Sequence, residues 1–107
     1  MQITDFISRD DLLKYLKSIK PELKKDGIKT LGLFGSFARG DASFSSDVDI
    51  IIETDNLFLK KYPAFKAFSK LQEIRENISN QFGGIKVDIC DLSGLDNNKI
   101  PKEVIYV

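Results

Sequence analysis

A chain of 107 residues fits one domain, and with 42% hydrophobic residues it can bury one core. Sixteen Lys and Arg balance sixteen Asp and Glu, so no basic field favours autonomous nucleic-acid binding. There is no histidine and one cysteine, Cys90, which excludes histidine acid–base catalysis, histidine metal ligation and an internal disulfide.

Any metal site must therefore be built from oxygen, which favours Mg²⁺ or Mn²⁺. A lone cysteine fits a reducing compartment. No apolar run reaches the length of a membrane span, and the N-terminus lacks a signal-peptide pattern. The expectation is a cytoplasmic domain covering residues 1–107, with no membrane contact.

In chain order, Ser8 reads as an N-cap, with Asp10 and Asp11 in the favourable first turn. Leu12, Leu13, Leu16 and Ile19 recur at helical spacing. Pro21 is expected to stop the helix near Lys20 or to restart it. Asp26 and Gly27 end this region. The lysines at 14, 17, 20, 24 and 25 read as a solvated face, since acidic residues are interspersed.

Ile28 to Phe34 reads as a strand, with Ile28, Thr30 and Gly32 on one face and Leu31 and Leu33 on the other. Gly35 and Ser36 turn the chain. Phe37 and Ala38 pack, and Arg39 opens a helical turn. Arg39 either holds a triphosphate or braces the loop through a carboxylate such as Asp41. Ser43 to Ser46 make a tight polar connection. Asp47 to Glu53 reads as the central strand, apolar on both faces at Val48, Ile50, Ile51 and Ile52. Strand alternation points Asp47 and Asp49 the same way, with Cα atoms roughly 6.5 Å apart. Carboxylates at that spacing can share divalent cations. A Gly-Ser turn can offer backbone N–H groups and a hydroxyl to a phosphate. Together these are the equipment of phosphoryl or nucleotidyl transfer.

Thr54 to Tyr62 reads as a connector, and Pro63 suits a first helical turn. Phe65, Phe68, Leu71, Ile74, Ile78 and Phe82 step by three or four residues as the apolar stripe of a helix, a core face rather than a ligand box. Gly83 and Gly84 end it. Ile85 to Asp91 reads as a third strand, with Ile85, Val87 and Ile89 on one face and Lys86, Asp88 and Cys90 on the other. Asp88 is expected to face Asp47 and Asp49. Cys90 is expected to be a small core residue. Gly94, Asn97, Asn98 and Pro101 indicate irregular chain, and Val104 to Val107 can add an edge strand. The alternation of helices and strands predicts an α/β sandwich, a small mixed sheet packed with helices.

Gly35-Ser36, ten residues, then Asp47-Val48-Asp49, with a later Val87-Asp88-Ile89, resembles the nucleotidyltransferase superfamily that includes DNA polymerase beta. The fuller Gly35-Ser36-Phe37-Ala38-Arg39-Gly40 with Ser46-Asp47-Val48-Asp49-Ile50 is similar to its minimal prokaryotic branch, the MntA-like antitoxins. The resemblance implies a polymerase beta-like nucleotidyltransferase fold and Mg²⁺ held by Asp47, Asp49 and Asp88, which are also the catalytic residues. It implies nucleotide binding through Gly35, Ser36, Arg39 and Ser46, with ATP as substrate. It implies a HEPN-type ribonuclease toxin as partner, with AMP transferred to a tyrosine of that toxin. Two other classes stay open. One is a binding antitoxin that blocks its partner sterically without turnover. The other is an enzyme that modifies a small hydroxylated molecule, as aminoglycoside nucleotidyltransferases do.

Overall fold

The computed structural model describes residues 7–43, 45–93, 97–101 and 103–107. Of the irregular chain expected at Gly94, Asn97, Asn98 and Pro101, Gly94 lies outside the described residues, and Asn97–Lys99 forms a single 3-10 turn. Helix α1 spans Arg9–Lys25. The Ser8 hydroxyl accepts the Asp11 N–H at 3.0 Å, so the cap forms where the sequence places it. The helix neither stops at Lys20 nor restarts; it runs through Pro21. Proline at an interior position removes one hydrogen bond and costs ~3 kcal/mol or more. Leu12 and Leu16 before it and Leu23 after it are all buried. Each contributes roughly 1.5–3 kcal/mol, enough to hold the helix together across the defect.

The sheet has four strands in the order β3-β2-β1-β4. These are β1 (Ile28–Phe34), β2 (Val48–Thr54), β3 (Val87–Asp91) and β4 (Ile105–Tyr106). Strand β1 runs antiparallel to β2 and β4, while β2 and β3 are parallel. This is the small mixed sheet that the alternating pattern predicted. Two boundaries are shorter than expected: β2 starts after Asp47, and β3 starts after Ile85 and Lys86. One face assignment is also corrected. A register shift between Ile28 and Thr30 puts Ile28 into the same core as Leu31 and Leu33. A bulge inserts one residue and so reverses the parity before it.

Between β2 and β3 the chain forms two helices, not a connector and one helix. Helix α3 spans Asn56–Lys61, capped by Asp55, whose carboxylate accepts the Leu57 N–H at 2.9 Å. It buries Phe58. Helix α4 spans Phe65–Gln81. Its core contacts come from Ile74 and Ile78, with Ala67, Leu71 and Phe82 partly buried. Phe65 and Phe68 are not core residues; they are 77% and 69% exposed.

A single core cluster joins Leu12, Leu16, Ile74 and Ile78 of the long helices to Leu31, Leu33, Ile50, Ile52 and Val87 of the strands. Helices α1 and α4 therefore cover one face of the sheet. Ile51 points to the other face and is fully buried, outside that cluster. On that face the chain entering β4 passes against Gly32, where an added Cβ would lie 2.8 Å from Val104 Cγ1. Asp49 shares strand parity with Ile51, so its side chain belongs to the face the long helices leave open. Among the described residues, no helix is long and apolar enough to cross a membrane.

Candidate active site

Strand β1 delivers the chain to Gly35, which holds φ +76°. Phe34, the last residue of β1, pairs with Asp49 of β2. The Asp49 side chain then lies over the turn: a Cβ on Gly35 would stand 2.3 Å from Asp49 Oδ2. No side chain fits there, and that close approach requires glycine in addition to the positive φ.

Helix α2 (Gly35–Arg39) follows, anchored by buried Phe37 and Ala38. The Ser36 carbonyl accepts the N–H groups of Gly40 and Asp41 at 2.9 and 3.0 Å, which closes the helix on Gly40 at φ 87°. Arg9 Nη1 donates to the Ala38 carbonyl at 3.0 Å and ties α1 to this short helix. Arg39 Nε donates to Asp41 Oδ2 at 3.3 Å, the bracing contact weighed from the sequence. The Arg39 charge also acts on Asp49.

Ser46 closes the polar connection. Its hydroxyl accepts the Ser43 N–H at 2.8 Å, and its own N–H donates to the Ser43 carbonyl at 3.0 Å. The turn fixes where Asp47 enters β2. In the parallel β2–β3 register Asp49 stands beside Asp88. Neighbouring strands lie roughly 4.8 Å apart, and register partners project from the same face. Burial first, then the Asp88 and Asp47 carboxylates, push the Asp49 carboxyl above its ordinary value, with Arg39 opposing. The fold thus brings Gly35, Arg39, Asp47, Asp49 and Asp88 into one neighbourhood, with Ser36 in α2 and Ser46 behind Asp47.

Cys90 pairs with Ile51 in the same register but is exposed rather than packed in the core. It lies on β3, the sheet's edge strand, with the parity of Asp88. Sequence reasoning assigned no role to Lys86, whose Nζ stands 3.8 Å from Asp47 Oδ2. The signal was available, since Lys86 has the strand parity of Asp88.

Among the described residues, no three His, Cys, Asp or Glu side chains converge into a ready cage for a metal. The Lys86 ammonium, 3.8 Å from Asp47 Oδ2, supplies a partial counter-charge. The chemistry of the aspartates suits a hard divalent cation. All donors are carboxylate oxygens, and the mutual repulsion expressed at Asp49 is what a cation relieves.

The sequence pattern of the family described as "Polymerase beta, Nucleotidyltransferase" matches residues 17–107. A Methanocaldococcus jannaschii protein named as a protein adenylyltransferase, MJ1379, is 34% identical, covering 92% of this chain and 93% of its own length. Protein adenylyltransferase MntA of Thermococcus cleftensis is 30% identical, covering 94% of this chain and 97% of its own. A solved structure described as a minimal nucleotidyltransferase superimposes with a TM-score of 0.66 at 20% identity. That superposition covers 92% of this chain and 95% of the other, a likeness of fold.

Proposed function

This chain belongs to the polymerase beta-type nucleotidyltransferase family, and on that premise we propose that it transfers AMP from ATP to a tyrosine hydroxyl of a partner protein. The observation that carries this reading is the pairing of Asp49 with Asp88, directly beside a Gly35 turn that has room for nothing but backbone. Relatives along nearly the whole chain are named for protein adenylyl transfer.

Asp47, Asp49 and Asp88 would hold Mg²⁺ or Mn²⁺, which when bound supplies Lewis-acid activation and charge neutralisation for in-line displacement. The Gly35-Ser36 turn positions the triphosphate, with Arg39 beside it. Ser46 keeps Asp47 in place by closing the turn before it. Asp88, exposed on the edge strand, takes the proton of the acceptor hydroxyl. The acceptor oxygen bonds to the α-phosphorus as the bond to the pyrophosphate oxygen breaks, and pyrophosphate leaves. The partner that supplies the tyrosine is a HEPN-type ribonuclease toxin, for which this chain is the cytoplasmic antitoxin, acting as one minimal domain over residues 1–107.

Incubation with labelled ATP, Mg²⁺ and host lysate tests the reading. A labelled protein band is expected, absent in chelator and reduced at least roughly a hundredfold in Asp88→Asn. Label on a small molecule overturns the protein acceptor. Nucleotide binding without any label overturns catalysis in favour of steric blocking.

A further inference from the structure

Strand β3 is an edge of the sheet, with β2 on one side only. The Val48 N–H donates to the Lys86 carbonyl at 2.9 Å, and the Leu92 N–H donates to the Ile52 carbonyl at 2.8 Å. Successive residues of a strand turn their backbone groups to opposite sides. Lys86, Asp88, Cys90 and Leu92 therefore face β2, and Val87, Ile89 and Asp91 present their N–H and carbonyl groups outward. The chain leaving β3 turns back to the end of β2, where Ser93 Oγ accepts the Thr54 N–H at 2.7 Å. An open edge of this kind is a template for one more strand.

A stripe of helix α4 runs alongside that edge. Ser79 Oγ donates to the Ile85 carbonyl at 2.6 Å, on the chain entering β3. Lys70 reaches Asp26 at the end of α1 at 3.2 Å and marks the opposite flank. At about 100° per residue, Phe68, Gln72 and Arg75 lie on the flank of Ser79. Phe68 is largely exposed. Gln72 Oε1 and Arg75 Nε are buried without a hydrogen-bond partner among the described residues. Arg75 forms no ion pair among those residues either. Folded chains seldom leave such atoms unsatisfied, and a surface completed by another chain is one reason. Arg75 lies about 6 Å back along the helix from Ser79, which is about two strand residues beyond Ile85. That is the level of Val87 and Asp88.

We propose that the outer edge of β3 and this flank of α4 form the docking groove for the acceptor protein. The acceptor enters as an extended segment added to β3, carrying its tyrosine next to an acidic residue. The proposal rests on the nucleotidyl-transfer reading above and extends it to how the acceptor is held. Neighbouring side chains of an added strand point to opposite faces. The tyrosine turns to the open face, beside Asp88. Its acidic neighbour turns to α4, where the Arg75 guanidinium meets it. Phe68, nearer the Asp91 end, gives the rest of the segment an apolar contact.

The experiment measures AMP transfer from labelled ATP in Mg²⁺ to two blocked peptides, Thr-Val-Glu-Tyr-Val-Thr and Thr-Val-Lys-Tyr-Val-Thr. Wild type, Arg75→Glu and Asp91→Pro are compared. Wild type is expected to label the glutamate peptide roughly tenfold or more better than the lysine peptide. Arg75→Glu is expected to invert that preference, a result that misfolding does not produce. Asp91→Pro removes one outward N–H and leaves the ladder to β2 intact. It is expected to lower transfer to both peptides roughly fivefold or more, with ATP affinity unchanged. No preference for the glutamate peptide in wild type, or the same preference in Arg75→Glu, overturns the assignment of Arg75. Peptide labelling untouched in Asp91→Pro overturns strand addition. A wild type that labels lysate protein but neither peptide overturns the docking groove. Dimerisation of the wild type that Asp91→Pro abolishes assigns the groove to a second copy and overturns it as well. A wild type that labels nothing overturns the nucleotidyl-transfer reading itself, and this inference with it.

Discussion

Gly35 and Ala64 both hold positive φ, at +76° and 53°, but only one of them is glycine. At Gly35 the conformation and the neighbouring Asp49 carboxylate exclude a side chain together. Gly35→Ala is expected to cost about 1–2 kcal/mol in backbone strain and to displace Asp49. Urea melts give the first quantity and a nucleotide titration the second. Unchanged nucleotide affinity in that variant would contradict the site as described. At Ala64, φ 53° with ψ −131° is strained for any residue carrying a Cβ. Ala64→Gly is therefore expected to stabilise the protein by about 1 kcal/mol, read as a rise in the urea midpoint at constant slope. The Gly-Ser motif announced Gly35, although the Asp49 contact that demands glycine crosses between strands and leaves no local mark. Nothing in an alanine announces a positive φ, so Ala64 was illegible.

Helix α4 shows how a periodic pattern can be right about the element and wrong about its face. At about 100° per residue, Phe65 lies opposite Ile74 around the helix. A stripe drawn from Phe65 to Phe82 therefore spans more of the helix than a core can cover. Phe65→Ser and Phe68→Ser are each expected to change stability by less than about 0.5 kcal/mol, while Phe58→Ala costs about 3–5 kcal/mol. Chemical denaturation of the three variants ranks them; a large loss at Phe65 or Phe68 would mean those rings are packed. Helix α3 escaped the sequence because six residues with one buried side chain carry no period. Asp26 joins these elements. It ends α1 and accepts from Lys61 at 3.0 Å and from the Tyr62 hydroxyl at 3.0 Å, while Lys70 pairs with it at 3.2 Å. Burial would raise the Asp26 carboxyl, but the hydrogen bonds from Lys61, Tyr62 and Lys70 outweigh it and hold the value below the ordinary one. A lowered folded value means the stabilisation is present above the unfolded pKa of about 3.9 and is lost as pH falls through the folded value. Asp26→Asn is expected to cost about 1–2 kcal/mol at neutral pH, with the exposed Lys61 arm contributing least. The gap between wild type and variant should close on acidification. A gap that persists at pH 2 would assign the loss to packing.

At the scale of the molecule, the site is assembled from the end of β1 and the starts of β2 and β3. Strand parity made Asp47 and Asp49 legible as neighbours, and the motif alone set Asp88 against them; the parallel crossover through the helices between β2 and β3 is what brings it there. That crossover sets Asp88 beside Asp49. The sheet order was not legible, because no residue of β4 states that it will pair with β1 across so much intervening chain. The consequence of the assembly is that three like charges are gathered by folding. Burial first, then Asp88 and Asp47, raise the Asp49 carboxyl above its ordinary value, so its ionisation opposes folding. A raised folded value favours the native state below the unfolded pKa, and that advantage is lost as pH rises through the folded value. At neutral pH, Asp49→Asn keeps the shape and removes one charge. In chelator the variant is expected to melt no lower than wild type. Mg²⁺ at millimolar concentration should raise the wild-type Tm, because a ligand that binds only the native state stabilises it by mass action. The variant should respond much less and should not transfer AMP. A structural carboxylate, satisfied by protein donors, behaves in the opposite way: asparagine would break those bonds and lower the Tm with or without Mg²⁺. Paired thermal melts in chelator and in Mg²⁺ separate the two cases, and a destabilised variant in chelator beside a wild type indifferent to Mg²⁺ would falsify the metal-site reading.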